Sequence, residues 1–303
     1  MPQDKYSKKE ILNMYIELSV PRTWLYALLS FLFGYLVCCG FYHFPLLILG
    51  ILIYGPLLTG ATNLINMYYD QTEDSINKPY RKKRVKTLKE KNVRNAAFFL
   101  YVLSFLLSFV FKSIYFSFLI FIYIFISYNY SAPPLRFKKR FMINQAMLAY
   151  GSVFLPFISA WFIDIKGIYD IPFGIATVAT AAVLFPIAAK DITDPIGDLK
   201  AGNSTIFTLL GFKDGVVLLC RYLFWMPYLV LLILIFLGIV PINMGFLFIF
   251  SIVTYFDMKK GLKIEKFNKD ISKKYFISVF WHIIILMLLV YIIYLIFNFF
   301  IEI

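Results

Sequence analysis

The chain has 303 residues, 61% of them apolar and only 16% charged, against about 45–50% and about 25% in an ordinary soluble domain. A bilayer core takes about 20 apolar residues per crossing helix, so the apolar residues are enough for about nine crossings. The composition excludes a soluble globular enzyme, a disordered chain and a secreted disulfide scaffold.

The formal charge of +13 suggests nucleic acid until the charges are placed. Lys5, Lys8, Lys9 and Arg22 precede or open the first apolar run. Nine Lys and Arg lie between Lys78 and Arg94, four between Arg136 and Arg140, and seven between Lys259 and Lys274. Lys190, Lys200 and Lys213 surround the end of the sixth run, and Arg221 lies in or near the seventh. Only Lys112 and Lys166 fall in the alternate loops. Such asymmetry reports membrane orientation. It places the N-terminus and the long basic loops on the cytoplasmic side and removes any need for nucleic acid.

Along the chain, Ser7-Lys8-Lys9-Glu10 reads as a capping box. It opens an amphipathic stripe of Ile11, Leu12, Tyr15, Ile16 and Leu18. Residues 1–20 are therefore expected to form a short helix on the cytoplasmic interface. The predicted spans are 23–41, 45–69, 96–111, 115–130, 143–163, 171–191, 215–238, 243–257 and 276–300. The third, fourth and eighth are short, so adjoining loop residues should extend them. Short outer loops force antiparallel neighbours, and the long loops 70–95, 131–142, 191–214 and 258–275 are polar. Cys38, Cys39 and Cys220 sit in apolar runs without metal or redox spacing. The expected fold is an all-α membrane protein of about nine transmembrane helices. It is read as a single domain, 1–303, built as a bundle of two related four-helix halves plus one helix.

Two acidic clusters carry the chemistry. Asn66, Asp70 and Asp74 are four residues apart, so on a helix they descend one face. Two aspartates at a helix C-terminus oppose its dipole and call for a cation. In the second cluster Asp191 and Asp194 are three apart, and Pro195 and Gly197 break the helix so that Asp198 returns from a loop. Glu73 lies on another face and reads as a salt-bridge partner. Oxygen-only carboxylate sets suit Mg²⁺ or Ca²⁺ rather than Zn²⁺, and Mg²⁺ typically shares its shell with substrate phosphates. Two Mg²⁺ and a diphosphate on five carboxylates leave negative charge uncompensated. Arg22, Lys78, Arg81, Arg136, Lys138 and Lys190 can balance it. His282 reads as a hydrogen-bonding residue of the bundle. Asn144 and Gln145 open the fifth span, either capping it or bonding an acceptor.

The Asn66/Asp70/Asp74 pattern with Asn77-Lys78-Pro79-Tyr80-Arg81 resembles the first aspartate-rich motif of the UbiA superfamily of intramembrane prenyltransferases. Lys190-Asp191-Ile192-Thr193-Asp194-Pro195-Ile196-Gly197-Asp198 is similar to the second. The stretch Tyr130-Ser131-Ala132-Pro133-Pro134-Leu135-Arg136-Phe137-Lys138 resembles the loop between its fourth and fifth helices. Met67 stands where many members carry Asp. The resemblance implies two Mg²⁺ holding an isoprenyl diphosphate between Asn66, Asp70 and Asp74 on one side and Asp191, Asp194 and Asp198 on the other. Residues of the Tyr130–Lys138 and Asn77–Arg81 loops would close over the diphosphate. The implied reaction transfers the prenyl group to a hydrophobic acceptor in the membrane, with no protein partner. A terpene cyclase on the same scaffold is the alternative. A transporter is disfavoured, because its ionisable groups belong near the bilayer midplane. Tyr68, Tyr69, Tyr128, Tyr130 and Tyr150 are candidates to line the chamber for an allylic cation.

Overall fold

In the computed structural model, residues 6–163 and 171–299 are described; Lys5, Lys166 and residue 300 of the ninth predicted span lie outside them. A short helix α1 (Lys8–Leu18) comes first. The expected capping box forms: Glu10 N–H donates to Ser7 Oγ at 3.3 Å, and Ser7 N–H to Glu10 Oε2 at 2.7 Å. Leu12 and Ile16 stay exposed while Leu18 is buried, as the amphipathic stripe requires.

Among the described residues nine helices are long and apolar enough to cross a membrane. They are α2 (Pro21–Cys39), α3 (Phe44–Tyr69), α6 (Glu90–Phe111), α7 (Ile114–Ser131), α8 (Ile143–Phe162), α9 (Phe173–Thr193), α12 (Phe212–Phe236), α13 (Ile242–Leu262) and α14 (Lys269–Phe297). Short helices fill two of the connections: α4 (Gln71–Asn77) and α5 (Pro79–Leu88) after α3, and α10 (Pro195–Ala201) and α11 (Ile206–Leu209) after α9. The protein is an all-α integral membrane protein. Helices α6 and α13 run past the apolar stretches into polar sequence, because Glu, Lys and Asn do not terminate a helix already nucleated.

The chain forms two compact units. The first comprises Met1–Lys138 with Leu155–Ile171, and the second Lys139–Phe154 with Pro172–Ile303. The first is centred on an aromatic core. Phe31 stacks on Tyr54 at 5.3 Å, Tyr54 meets Phe116 edge-on at 6.3 Å, and Phe111 stacks on Phe116 at 4.2 Å. Helix α2 approaches the later half of α8 so closely that a Cβ on Gly34 would stand 2.3 Å from the Phe157 carbonyl oxygen. A small residue at the crossing lets the backbones meet. Within α3, Pro56 lies in a widened turn over Ile53–Thr59. Pro lacks an N–H to donate, and the Thr59 hydroxyl bonds the Tyr54 carbonyl at 2.7 Å. Asn63 Nδ2 on α3 donates to the Ser19 carbonyl at 2.8 Å, tying the end of α1 to the bundle.

In the second unit α9 is the most enclosed helix and packs on α8, α12 and α14. Its polar knot joins α12, α13 and α14. His282 Nδ1 lies 3.0 Å from Asp257 Oδ2 and its Nε2 lies 3.3 Å from Thr254 Oγ1, which meets Tyr228 OH at 2.6 Å. All four residues are buried. His282 is thus a bundle hydrogen-bonder, as expected, and Asp257 is the partner that the reading of the sequence passed over.

Candidate active site

Asn66, Asp70 and Asp74 do not share one uninterrupted helix. Helix α3 ends at Tyr69, Asp70 adopts φ −93° and ψ +20°, and α4 restarts at Gln71. The backbone still links the three, since Asp70 N–H donates to the Asn66 carbonyl at 2.9 Å and Asp74 N–H to the Asp70 carbonyl at 2.7 Å. The break changes the electrostatics. Glu73 and Asp74 occupy the first turn of α4, where a helix favours negative charge. Only Asp70 remains at a helix C-terminus, so the expected penalty falls on one aspartate rather than two.

A lysine meets that penalty. Lys138, buried at 7% side-chain exposure, donates from Nζ to Asp70 Oδ1 and at 2.9 Å to Glu73 Oε1. Arg136 Nη2 reaches the same Glu73 oxygen at 3.3 Å. Glu73 is the salt-bridge partner the sequence suggested, and it is a buried one. Burial pushes the Asp70 carboxyl above its ordinary range, against the Lys138 ammonium. Burial acts on Glu73 in the same sense, but the Lys138 and Arg136 charges prevail and hold it below the usual range. Asn66 accepts a hydrogen bond from Ser131 Oγ at 2.8 Å, which fixes its amide oxygen.

The other predicted residues of this unit take more varied places. Lys78 separates α4 from α5, with its N–H on the Asp74 carbonyl at 3.0 Å. Arg81 and Arg84 both lie over the Tyr80 ring, at 5.9 and 5.8 Å, and Arg84 pairs with Glu17 of α1. Tyr130 is buried at the end of α7, whereas Arg22 is exposed at the start of α2. Tyr69 OH lies 3.3 Å from Tyr128 OH, Tyr68 packs edge-on against Tyr69 at 4.9 Å, and Arg94 covers the Tyr68 ring at 5.7 Å.

The second cluster, in the other unit, turns on Pro195. Asp191 lies in the last turn of a tight helical stretch, Pro186–Thr193, and Asp194 is its cap with φ −128°. Pro195 breaks that helix as expected but then opens α10, because proline suits the first helical position. Asp198 therefore sits in the first turn of a helix rather than in a loop. Gly202, at φ +70°, ends α10 in the left-handed conformation favoured by glycine. That turn brings the Asn203 side-chain amide to 3.0 Å from Asp198 Oδ1; nothing in the local sequence pattern had marked Asn203. Lys190 Nζ donates to Asp191 Oδ1 at 2.5 Å. Burial, and then the Asp191 charge, push the Asp198 carboxyl up to about 7. Asn144 and Gln145 are buried at the start of α8. Met142, at the capping position before that helix, supplies no side-chain cap, and both Gln145 amide atoms lack a hydrogen-bond partner, so capping is not the role of Gln145. Tyr150 is 44% exposed beside Phe154.

Among the described residues, no three His, Cys, Asp or Glu side chains converge as a ready-made metal centre. The donor set of both clusters is nonetheless oxygen only. That suits an ion taking one or two carboxylates and completing its shell from water and substrate phosphate.

No curated protein matches the chain. Solved structures do. A digeranylgeranylglyceryl phosphate synthase is 22% identical, with 93% of this chain and 98% of that one covered and a TM-score of 0.64. A UbiA homolog from Archaeoglobus fulgidus bound to DMAPP and Mg²⁺ is 19% identical over 91% of this chain and 98% of that one, with a TM-score of 0.65. The same homolog bound to GPP and Mg²⁺ gives 19% identity, 91% and 99% coverage and a TM-score of 0.65. At these identities the likeness is one of fold. The family model for UbiA prenyltransferases matches residues 27–284, both acidic clusters included, and the chain belongs to the UbiA prenyltransferase family.

Proposed function

We propose that this protein is a Mg²⁺-dependent intramembrane prenyltransferase. It moves an isoprenyl group from an isoprenyl diphosphate to a hydrophobic acceptor (aromatic, tetrapyrrole or lipid) at the cytoplasmic face of the cell membrane. The observation that carries this reading is the pair of oxygen-only acid clusters closing α3 and α9 in a chain of this family. Asn66, Asp70 and Asp74 would hold one Mg²⁺, and Asp191, Asp194 and Asp198 the other. Bound there, Mg²⁺ supplies charge stabilisation for the departing diphosphate.

The remaining roles belong to the protein. Lys138, Arg136 and Lys190 supply donors to diphosphate oxygens, with Arg22, Lys78, Arg81 and Tyr130 completing the set. Tyr68, Tyr69 and Tyr128 offer aromatic faces to the allylic carbon as its charge develops, each contributing about 0.5–2 kcal/mol. A chamber walled by apolar helices keeps water from that carbon. The acceptor must hold its nucleophilic atom beside it, and proximity of that kind lowers the barrier by several kcal/mol.

The test is acceptor dependence. Purified protein is given labelled isoprenyl diphosphates, with and without fractions of a lipid extract. Diphosphate release should rise at least about tenfold, roughly 1.4 kcal/mol in barrier, with the correct fraction, and the label should appear in a larger molecule. Undiminished conversion to a cyclic hydrocarbon or alcohol without any acceptor would replace this reading with a cyclase. Orientation is tested separately by cysteines introduced at Lys83, Lys139 and Lys266, which should all label from the cytoplasmic side. Opposite labelling of the Lys83 and Lys139 positions would break it.

A further inference from the structure

We propose that Lys138 is a stand-in cation, occupying Asp70 until a divalent ion arrives together with the diphosphate, and that Glu73 is the positioning residue that keeps the lysine there. This rests on the metal-dependent reading above and adds to it an order of binding. The Lys138 ammonium bonds Asp70, a proposed metal ligand, and Glu73, which is not one. With Arg136 on Glu73, two carboxylates face two cations, and Asp74, a further proposed ligand of the ion, is a third, buried carboxylate. A dication entering alone would have to remove Lys138 from a buried pair, which is costly for the charge left behind, and would leave the displaced ammonium no anion but Glu73. A diphosphate arriving with the dication gives the displaced ammonium an anion to meet. A lysine suits the exchange, being a point charge on a flexible four-carbon stem. Its head can leave Asp70 while its backbone stays in place.

The exchange predicts that metal alone binds weakly at Asp70, and that metal and inorganic diphosphate bind together. The full-length protein in nanodiscs, carrying Asp194→Asn and Asp198→Asn so that the second cluster is silenced, is titrated with Mn²⁺. Free ion is followed by its paramagnetic resonance signal, with and without inorganic diphosphate, and the uptake by diphosphate alone, measured on protein-free nanodiscs, is subtracted. Diphosphate should tighten Mn²⁺ binding at least tenfold. Replacing the stand-in by Lys138→Met should raise the affinity for Mn²⁺ alone at least tenfold. Because that single change strips a buried pair, a second variant joins it with Glu73→Gln. The double change removes one positive and one negative charge, so through-space repulsion predicts no gain for it, whereas loss of a competitor predicts the same gain. Thermal melts establish that each variant is folded before titration. Unchanged affinity for Mn²⁺ alone in the double variant overturns the exchange while leaving the metal reading intact. Absence of Mn²⁺ binding by the unsubstituted chain even with diphosphate overturns both.

Discussion

The two acidic clusters share a sequence logic, yet the fold treats their charge differently. At the end of α3, Asp70 and Glu73 are met by Lys138 and Arg136, which reach them from some 65 residues away in sequence. At the end of α9, Asp191, Asp194 and Asp198 lie within eight consecutive residues. There Lys190 bonds Asp191 and Asn203 bonds Asp198. In one cluster two carboxylates are paired with basic side chains brought in by tertiary structure. The other keeps an excess of carboxylate, and burial, followed by the Asp191 charge, raises the Asp198 carboxyl to about 7. An acid-rich motif therefore does not fix its own electrostatics. The loop that packs against it does.

The largest expected effect treats the clusters alike. Asp70→Ala, Asp74→Ala, Asp194→Ala and Asp198→Ala should each lower prenyl-transfer turnover by at least about a hundredfold, the scale of losing one preorganised electrostatic stabiliser. Labelled-product assays on folded, membrane-inserted variants check this. Full activity after losing either cluster would mean that one cluster suffices. The next effect separates them. In metal-free protein Lys138→Met leaves two buried carboxylates facing one arginine and should cost about 3–5 kcal/mol. Lys190→Met removes a quarter-exposed lysine from one buried carboxylate and should cost less, about 1.5–3 kcal/mol, the scale of one hydrogen bond to a charged group. Denaturation of both variants in detergent measures the gap, and equal losses would erase the contrast.

A further effect is a pH dependence. Asp198 has a folded value of about 7 against 3.8 for an ordinary aspartate. Between those limits the folded protein holds a proton that the unfolded chain has released, so stability falls as pH rises across that window and levels off above it. Melting temperatures taken in EDTA from about pH 4.5 to about pH 8 should show the decline, and Asp198→Asn should flatten it. In the first cluster Asp70 is raised and Glu73 lowered, so their slopes oppose each other. Asp70→Asn should therefore leave the Glu73 slope, a gain of stability with rising pH, unopposed.

The nine crossings were legible because each is an uninterrupted apolar run, and the capping box at Ser7 marked α1 by itself. The acid motifs were legible as spacing. Their local geometry was not, for two reasons. The α3 helix breaks at Asp70 with neither glycine nor proline there to announce it. Pro195 announces a break equally well whether the chain leaves as a loop or starts a new helix. Charge pairing was hidden for another reason. Arg136, Lys138, Lys139 and Arg140 look alike in sequence, and only packing buries Lys138 while leaving Arg140 exposed. Asp257 was passed over because it precedes Lys259 and Lys260 and resembles a solvated helix end. Its partner His282 comes from another helix.

The central claim is that both clusters serve one metal-dependent transfer. The most direct test follows label from an isoprenyl diphosphate into an acceptor by purified protein in EDTA, and again after Mg²⁺ is restored in excess. Transfer should stop in EDTA and return with Mg²⁺. Unchanged transfer in EDTA would contradict the account.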